Sequence, residues 1–170
     1  MGIEIERKFL VASDAWRAQV TQTQRMQQGY LIEADLVVSG RVRCSARVRI
    51  AGDAAWLNIK SAQLGIARRE FEYAIPRADA QNMLDEFCNG VVYKTRHHVP
   101  AGGLLFEVDE FHGANAGLIV AEIELDAADQ RFEHPVWLGR EVTELPRYYN
   151  LNLLQHPYSR WSEREKTGVD

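Results

Sequence analysis

Polar and apolar side chains alternate every second residue through much of this chain, the period of a β-strand whose two faces meet different surroundings. Eight such runs stand out, at residues 3–11, 28–33, 41–50, 55–61, 68–75, 91–99, 104–111 and 118–125. Turn formers separate several of them: Gly52-Asp53, Gly102-Gly103 and the stretch from Gly113 to Gly117. Eight strands with mostly short connections predict an antiparallel barrel or sandwich. Helical periodicity is scarce. Ser13 or Asp14 can cap a short helix reaching Val20. Pro76 or Asp79 can open a second, whose Ala80, Met83, Leu84 and Phe87 recur at helical spacing before Gly90 stops it. A third is expected over residues 148–155. These elements make one domain of residues 1–156, followed by a polar tail, 157–170, expected to be exposed.

The polar face of these runs is unusual. Glu4, Glu6 and Lys8 share one face, opposite Ile5 and Phe9. Arg47 and Arg49 alternate with Val48 and Ile50, and Asn58 and Lys60 with Leu57 and Ile59. Arg68, Glu70 and Glu72 form another row, as do Lys94 and Arg96, Glu107 and Asp109, and Glu122 and Glu124. Charged pairs two residues apart therefore recur on six strands, and Asn58 with Lys60 adds a polar row on a seventh, where a solvated face usually mixes in Thr, Ser and Gln. The segment at 41–50 carries a second candidate pair, Arg41 and Arg43, so its register stays open.

Two arrangements explain such rows. One is a sheet with an apolar core on one side and a salt-bridged, solvated face on the other, the commoner solution for antiparallel sheets. The other is an inverted barrel, apolar outside beneath helices, with the charges lining a wet tunnel. Small barrels fill their interiors with side chains, so a charged lumen needs water and a ligand to justify it. Either way carboxylates and cations share a face. Hard Mg²⁺ or Mn²⁺ prefers carboxylate oxygens, and Arg and Lys bind phosphate oxygens. A polyphosphate bridged to carboxylates by a divalent metal uses both sets at once.

Composition narrows the picture further. Apolar residues make up 46% and charged residues 26% of the 170, the balance of an ordinary globular protein. A net charge of −4 argues against a general nucleic-acid partner. No run is long and apolar enough to span a membrane. Cys44 and Cys88 form no CxxC pair, so zinc and redox chemistry are not indicated and a reducing cytoplasm is expected. The five histidines show no metal spacing, and neither common Gly-rich phosphate loop is present.

An ordered series of motifs resembles the CYTH superfamily, the triphosphate tunnel metalloenzymes. It opens with Glu4-Ile5-Glu6-Arg7-Lys8-Phe9-Leu10, similar to that family's ExExK strand, and continues with Gln28-Gly29-Tyr30-Leu31, Arg47-Val48-Arg49 and Leu57-Asn58-Ile59-Lys60-Ser61. Arg69-Glu70-Phe71-Glu72-Tyr73, Lys94-Thr95-Arg96, Phe106-Glu107-Val108-Asp109, Ala121-Glu122-Ile123-Glu124 and the segment from Trp137 to Thr143 complete it. The resemblance implies an eight-stranded antiparallel closed β-barrel forming a charged tunnel, with a few helices outside. It also implies a small-molecule triphosphate substrate and Mg²⁺ or Mn²⁺. Carried over residue by residue, Glu4, Glu6, Glu122 and Glu124 are metal ligands, with Glu107 and Asp109 as second choices. Arg47, Arg49, Lys60, Lys94 and Arg96 grip phosphate oxygens. Glu70 and Glu72 are further metal candidates or orient the cations. Lys8, with the Tyr30 hydroxyl, positions or deprotonates the attacking water. The short form of the motifs is most similar to the inorganic triphosphatase branch. Organic triphosphate hydrolysis, class IV adenylyl cyclase activity and a non-catalytic polyphosphate-binding module are the alternatives. A homodimer is left open.

Overall fold

A computed structural model describes residues 2–62 and 67–168. Eight antiparallel strands close into a barrel: β1 (Gly2–Val11), β2 (Gln22–Tyr30), β3 (Cys44–Ala51), β4 (Ala54–Ser61), β5 (Ala67–Ala74), β6 (Val91–Ala101), β7 (Leu104–Phe111) and β8 (Ile119–Glu124). They run β5-β4-β3-β2-β6-β7-β8-β1 around the wall, and pairing of β1 with β5 closes the ring. A ninth strand, β9 (Leu138–Glu141), lies against the second half of β1. It takes up the edge left where β5, which pairs only with residues 2–5, ends. The sequence pattern missed β9 because four residues are too few to show a period.

The alternation is realised with the apolar face outward. Val48 and Ile50 of β3 pack beneath α2 (Arg77–Phe87) through Ala80 and Leu84. Phe9, Val99, Phe106, Val108, Ala121 and Ile123 pack with Trp16 and Trp137. Burying these outward faces under helices and loops is what leaves the other face free to be charged. Helix α2 covers the expected residues, though Phe87 at its end is exposed. The short segment after Ser13 is a 3₁₀ helix, Asp14–Gln19, that seats Trp16. At the β6–β7 hairpin Gly102 and Gly103 have φ of +57° and +79°. Two positive φ values are what a two-residue turn matched to strand twist requires.

Three expectations need correction. The second strand is Gln22–Tyr30, not 28–33, and Glu33 instead precedes a short helix α1 (Ala34–Val38). Residues 22–27 show no strand pattern in the sequence because β2 turns a largely polar row into the lumen, so it lacks an apolar stripe. The third strand starts at Cys44, which leaves Arg41 and Arg43 outside it and sets the register on Arg47 and Arg49. The tail that follows α3 (Asn150–Gln155) is not wholly exposed: Trp161, just before α4 (Glu163–Lys166), is only 4% exposed. Ser162 and Glu165 form a reciprocal capping box at the start of α4. Val169 and Asp170 lie outside the described residues.

The inward rows of β6, β7 and β8 change character along the axis. Past Lys94, Asp109 and Glu122 they end in Val92, Phe111 and Val120. These cluster with Leu118, Val142, Tyr148, Leu153 and Trp161. The C-terminal elements thus complete an apolar floor, and one end of the lumen is stopped.

Candidate active site

Within the barrel lies a cavity of about 510 Å³. Its lining takes two or three residues from each of β1, β3, β4, β5 and β8, and one each from β2, β6 and β7: Tyr30, Arg96 and Glu107. Of the residues expected from sequence, Glu4, Glu6, Lys8, Tyr30, Arg47, Arg49, Lys60, Arg96, Glu107, Glu122 and Glu124 all line it. So do Glu70, Glu72 and Arg68. Strand register makes this convergence: Lys8 stands opposite Glu122, Glu6 opposite Glu124, Tyr30 opposite Arg47 and Glu4 opposite Arg68.

Lys94 and Asp109 are not on that surface. They are 2% and 0% exposed, are paired with each other, and lie behind Arg96. Arg96 donates to Asp109 at 2.8 and 2.7 Å, to Glu122 at 2.7 Å, and to Glu107. Beyond Glu122, the Lys8 ammonium joins Glu122 to Glu6. An alternating chain of charge therefore runs Lys94, Asp109, Arg96, Glu122, Lys8, Glu6. On the far wall Lys60 donates to both oxygens of Glu4, at 2.8 and 2.6 Å, and Arg49 donates to Glu72 at 2.8 Å.

Sequence reasoning placed Asn58 on this face and quoted Gln28 in a motif without giving either a role; both are fully buried. Asn58 donates to Glu70 at 2.9 Å and to Glu72, and Gln28 donates to the Tyr30 hydroxyl at 3.4 Å. Their parity with Lys60 and Tyr30 was the available signal. Tyr149 and Asn150 also reach the cavity from the start of α3, and no strand period marks them.

The electrostatics split the lumen in two. Around Lys8, burial alone would lower the ammonium's pKa, but Glu122 and Glu6 outweigh it and hold it above the ordinary lysine value. Burial likewise works to raise Glu122, yet Lys8, Lys94 and Arg96 keep it well below the usual carboxylate range. At the mouth the balance reverses. Burial and the neighbouring Glu4, Glu107 and Glu6 push Glu124 up, and burial with Glu6 does the same to Glu4. Glu124 has no ion pair among the described residues. Glu6 faces Glu124 and Glu107 faces Glu122 directly across strand pairs, an arrangement that costs stability unless a cation intervenes.

The cations are also incompletely used. Buried Nε atoms of Arg47 and Arg49 have no acceptor, and Arg47 has no ion pair among the described residues. Burial, followed by Arg47, lowers the pKa of Arg49. A buried guanidinium N–H without an acceptor is costly, and an anion in the cavity would supply one.

No three described carboxylates, histidines or cysteines are already gathered as a chelate. The donor set nonetheless fits a hard divalent cation: all oxygen, with surplus negative charge at the mouth. Glu4, Glu6, Glu122 and Glu124 would hold it, with Glu107 beside them. Asp109, enclosed by Lys94 and Arg96, falls outside that set.

Comparison with known proteins agrees with this geometry. A family profile described as the CYTH domain matches residues 2–158. An inorganic triphosphatase of Acetivibrio thermocellus is 41% identical over 164 residues, covering 96% of this chain and all of that protein. One from Nitrosomonas europaea is 34% identical, covering 88% and 95% of the two chains. A crystal structure of an inorganic triphosphatase superposes with a TM-score of 0.62 at 33% identity, covering 90% of this chain and 95% of the other.

Proposed function

The chain belongs to the CYTH family, and from that premise we propose that it hydrolyses inorganic triphosphate to phosphate and pyrophosphate inside the barrel. The observation that carries this reading is the pair of half-buried arginines, Arg47 and Arg49, whose buried Nε donors lack acceptors and which line the same cavity as the carboxylate of Glu124, which has no cation partner among the described residues. The relatives' activity supports the choice of substrate.

Arg47, Arg49, Lys60 and Arg96 bind the phosphate oxygens, the arginines through paired N–H donors. Lys94 supports this set from behind, since its ammonium is spent on Asp109. When bound, Mg²⁺ or Mn²⁺ supplies neutralisation of phosphate charge and polarisation of the P–O bonds. Water attacks the terminal phosphorus in line, the bridging P–O bond breaks, and pyrophosphate leaves; positioning and charge stabilisation carry most of the acceleration. The carboxylates that hold Lys8 protonated favour a positioning role for it over proton abstraction. Tyr30 is buried, which raises its phenol pKa, so it serves as a neutral hydrogen-bonding group. Among the described residues no helix is long and apolar enough to cross a membrane. The free thiols of Cys44 and Cys88 support a cytoplasmic setting.

The test is phosphate release from tripolyphosphate, ATP and thiamine triphosphate, each with and without Mg²⁺ or Mn²⁺. Metal-dependent release that is fastest from tripolyphosphate is expected. Lys8→Ala and Tyr30→Phe are expected to lower kcat by about a hundredfold and about tenfold, within the range for a positioned acid–base or hydrogen-bonding group. Faster turnover of ATP or thiamine triphosphate refutes the substrate assignment, and unchanged kcat in both variants removes the pair from the mechanism.

A further inference from the structure

At the stopped end of the lumen one aromatic ring faces two cations. The Tyr149 ring centroid lies 5.5 Å from the Arg68 guanidinium and 6.0 Å from the Lys8 ammonium. Tyr149 lines the cavity rather than the apolar floor beside it, which takes Tyr148 instead. Its hydroxyl donates to the Thr143 carbonyl at 2.8 Å. With the hydroxyl engaged there, the ring lies against both cations.

The anchor is itself fixed to β1. The Lys8 backbone N–H donates to Thr143 Oγ1 at 3.0 Å, and the Val142 N–H donates to the Lys8 carbonyl at 2.8 Å. Thr143 Oγ1 donates to Glu141 Oε1 at 2.7 Å, and Glu141 takes a 2.8 Å hydrogen bond from Arg7 Nε on the outer side of β1. Lys8 and the residue that carries the ring are thus both held by Thr143, Lys8 through its side-chain hydroxyl and Tyr149 through its backbone carbonyl.

We propose that Tyr149 is a positioning residue that sets Lys8 and Arg68 for the triphosphate; this rests on the hydrolytic reading above. The chemical reason lies in what else touches those cations. Lys8 is held by Glu6 and Glu122, and Arg68 lies 3.6 Å from Glu6 and 3.9 Å from Glu4. Carboxylates hold a cation by cancelling its charge. An aromatic face attracts a cation through its quadrupole and leaves the net charge intact. When Glu4, Glu6 and Glu122 turn to other work, the ring still keeps both cations in place with their charge available to phosphate oxygens. A tyrosine ring also has nothing to offer a metal ion, so it does not compete with the carboxylates.

The experiment compares wild type, Tyr149→Leu and Tyr149→Phe in three measurements: thermal unfolding, tripolyphosphate binding by calorimetry without metal, and steady-state hydrolysis with metal. Tyr149→Met, of similar reach, replaces the leucine variant should that fail to fold. With unfolding temperatures unchanged, the leucine variant is expected to lose about tenfold in kcat/KM and to bind metal-free tripolyphosphate more weakly, as loss of a desolvated cation–π contact implies. Phenylalanine keeps the ring and is expected to stay within about threefold of wild type, the hydroxyl anchor being one neutral hydrogen bond. Leucine matching wild type, or phenylalanine as impaired as leucine, overturns the role of the ring. Wild type that neither binds nor hydrolyses tripolyphosphate overturns the hydrolytic reading instead.

Discussion

Glu124 is the residue at which the tunnel's electrostatics are least balanced. It faces Glu6 across the β1–β8 pair, and burial together with Glu4, Glu107 and Glu6 raises its pKa. A carboxylate whose folded pKa is raised binds its proton more readily folded than unfolded. Its contribution therefore turns unfavourable as pH climbs from the ordinary carboxylate range through the raised value, and vanishes below that range. Glu124→Gln removes the repulsion. The metal-free variant is expected to match wild type in acid and to exceed it at neutral pH by a few tenths of a kcal/mol, since the site is partly solvated. Thermal unfolding at the two pH values checks this, and manganese titration is expected to show weaker binding by the variant. A neutral-pH loss of stability would mean that Glu124 has a cation partner. At this scale the sequence was informative: side-chain parity put Glu4, Lys8, Arg49, Lys60 and Glu122 on one surface. It did not distinguish Arg96, which reaches the cavity, from Lys94 and Asp109, which stop short of it. Parity reports which face a residue is on, and depth along the axis depends on the closed barrel.

Among the elements, α2 and the strands beneath it show how the outer packing serves the lumen. Gly29 of β2 lies under α2, where an added Cβ would meet Cys88 Sγ at 2.7 Å and Leu84 Cδ2 at 2.8 Å. The next residues along, Gln28 and Tyr30, point inward. Gly29→Ala is expected to cost about 1–3 kcal/mol, the usual penalty for overpacking a filled contact, and denaturant unfolding reads it directly. Stability within a few tenths of a kcal/mol of wild type would show that α2 gives way without cost. The elements legible in advance were those with an apolar stripe, such as α2 and β6 through β8. Strand β2 was misplaced because its inward side chains, Gln24, Met26, Gln28 and Tyr30, are mostly polar and its outward side chains include Gly29. Helix α1 and strand β9 span five and four residues, no more than two turns or periods.

For the molecule as a whole, alternation alone left two answers open: charges on an outer sheet face, or charges within. The motifs pointed to the second, and β1–β5 pairing realises it by removing the open edge. The C-terminal segment was harder to foresee, because its role rests on single anchors such as Trp161 and Tyr149 rather than on a period. Together these parts yield a lumen stopped at one end, in which the buried Nε atoms of Arg47 and Arg49 lack acceptors and Glu124 lacks an ion pair among the described residues. The most direct test is diffraction from crystals soaked with tripolyphosphate and Mn²⁺, recorded at the manganese absorption edge. The account predicts a triphosphate along the barrel axis, with its oxygens on Arg47, Arg49, Lys60 and Arg96 and anomalous signal beside Glu4, Glu6, Glu122 and Glu124. Anion and manganese found on the outer wall, with the lumen holding only water, would contradict it.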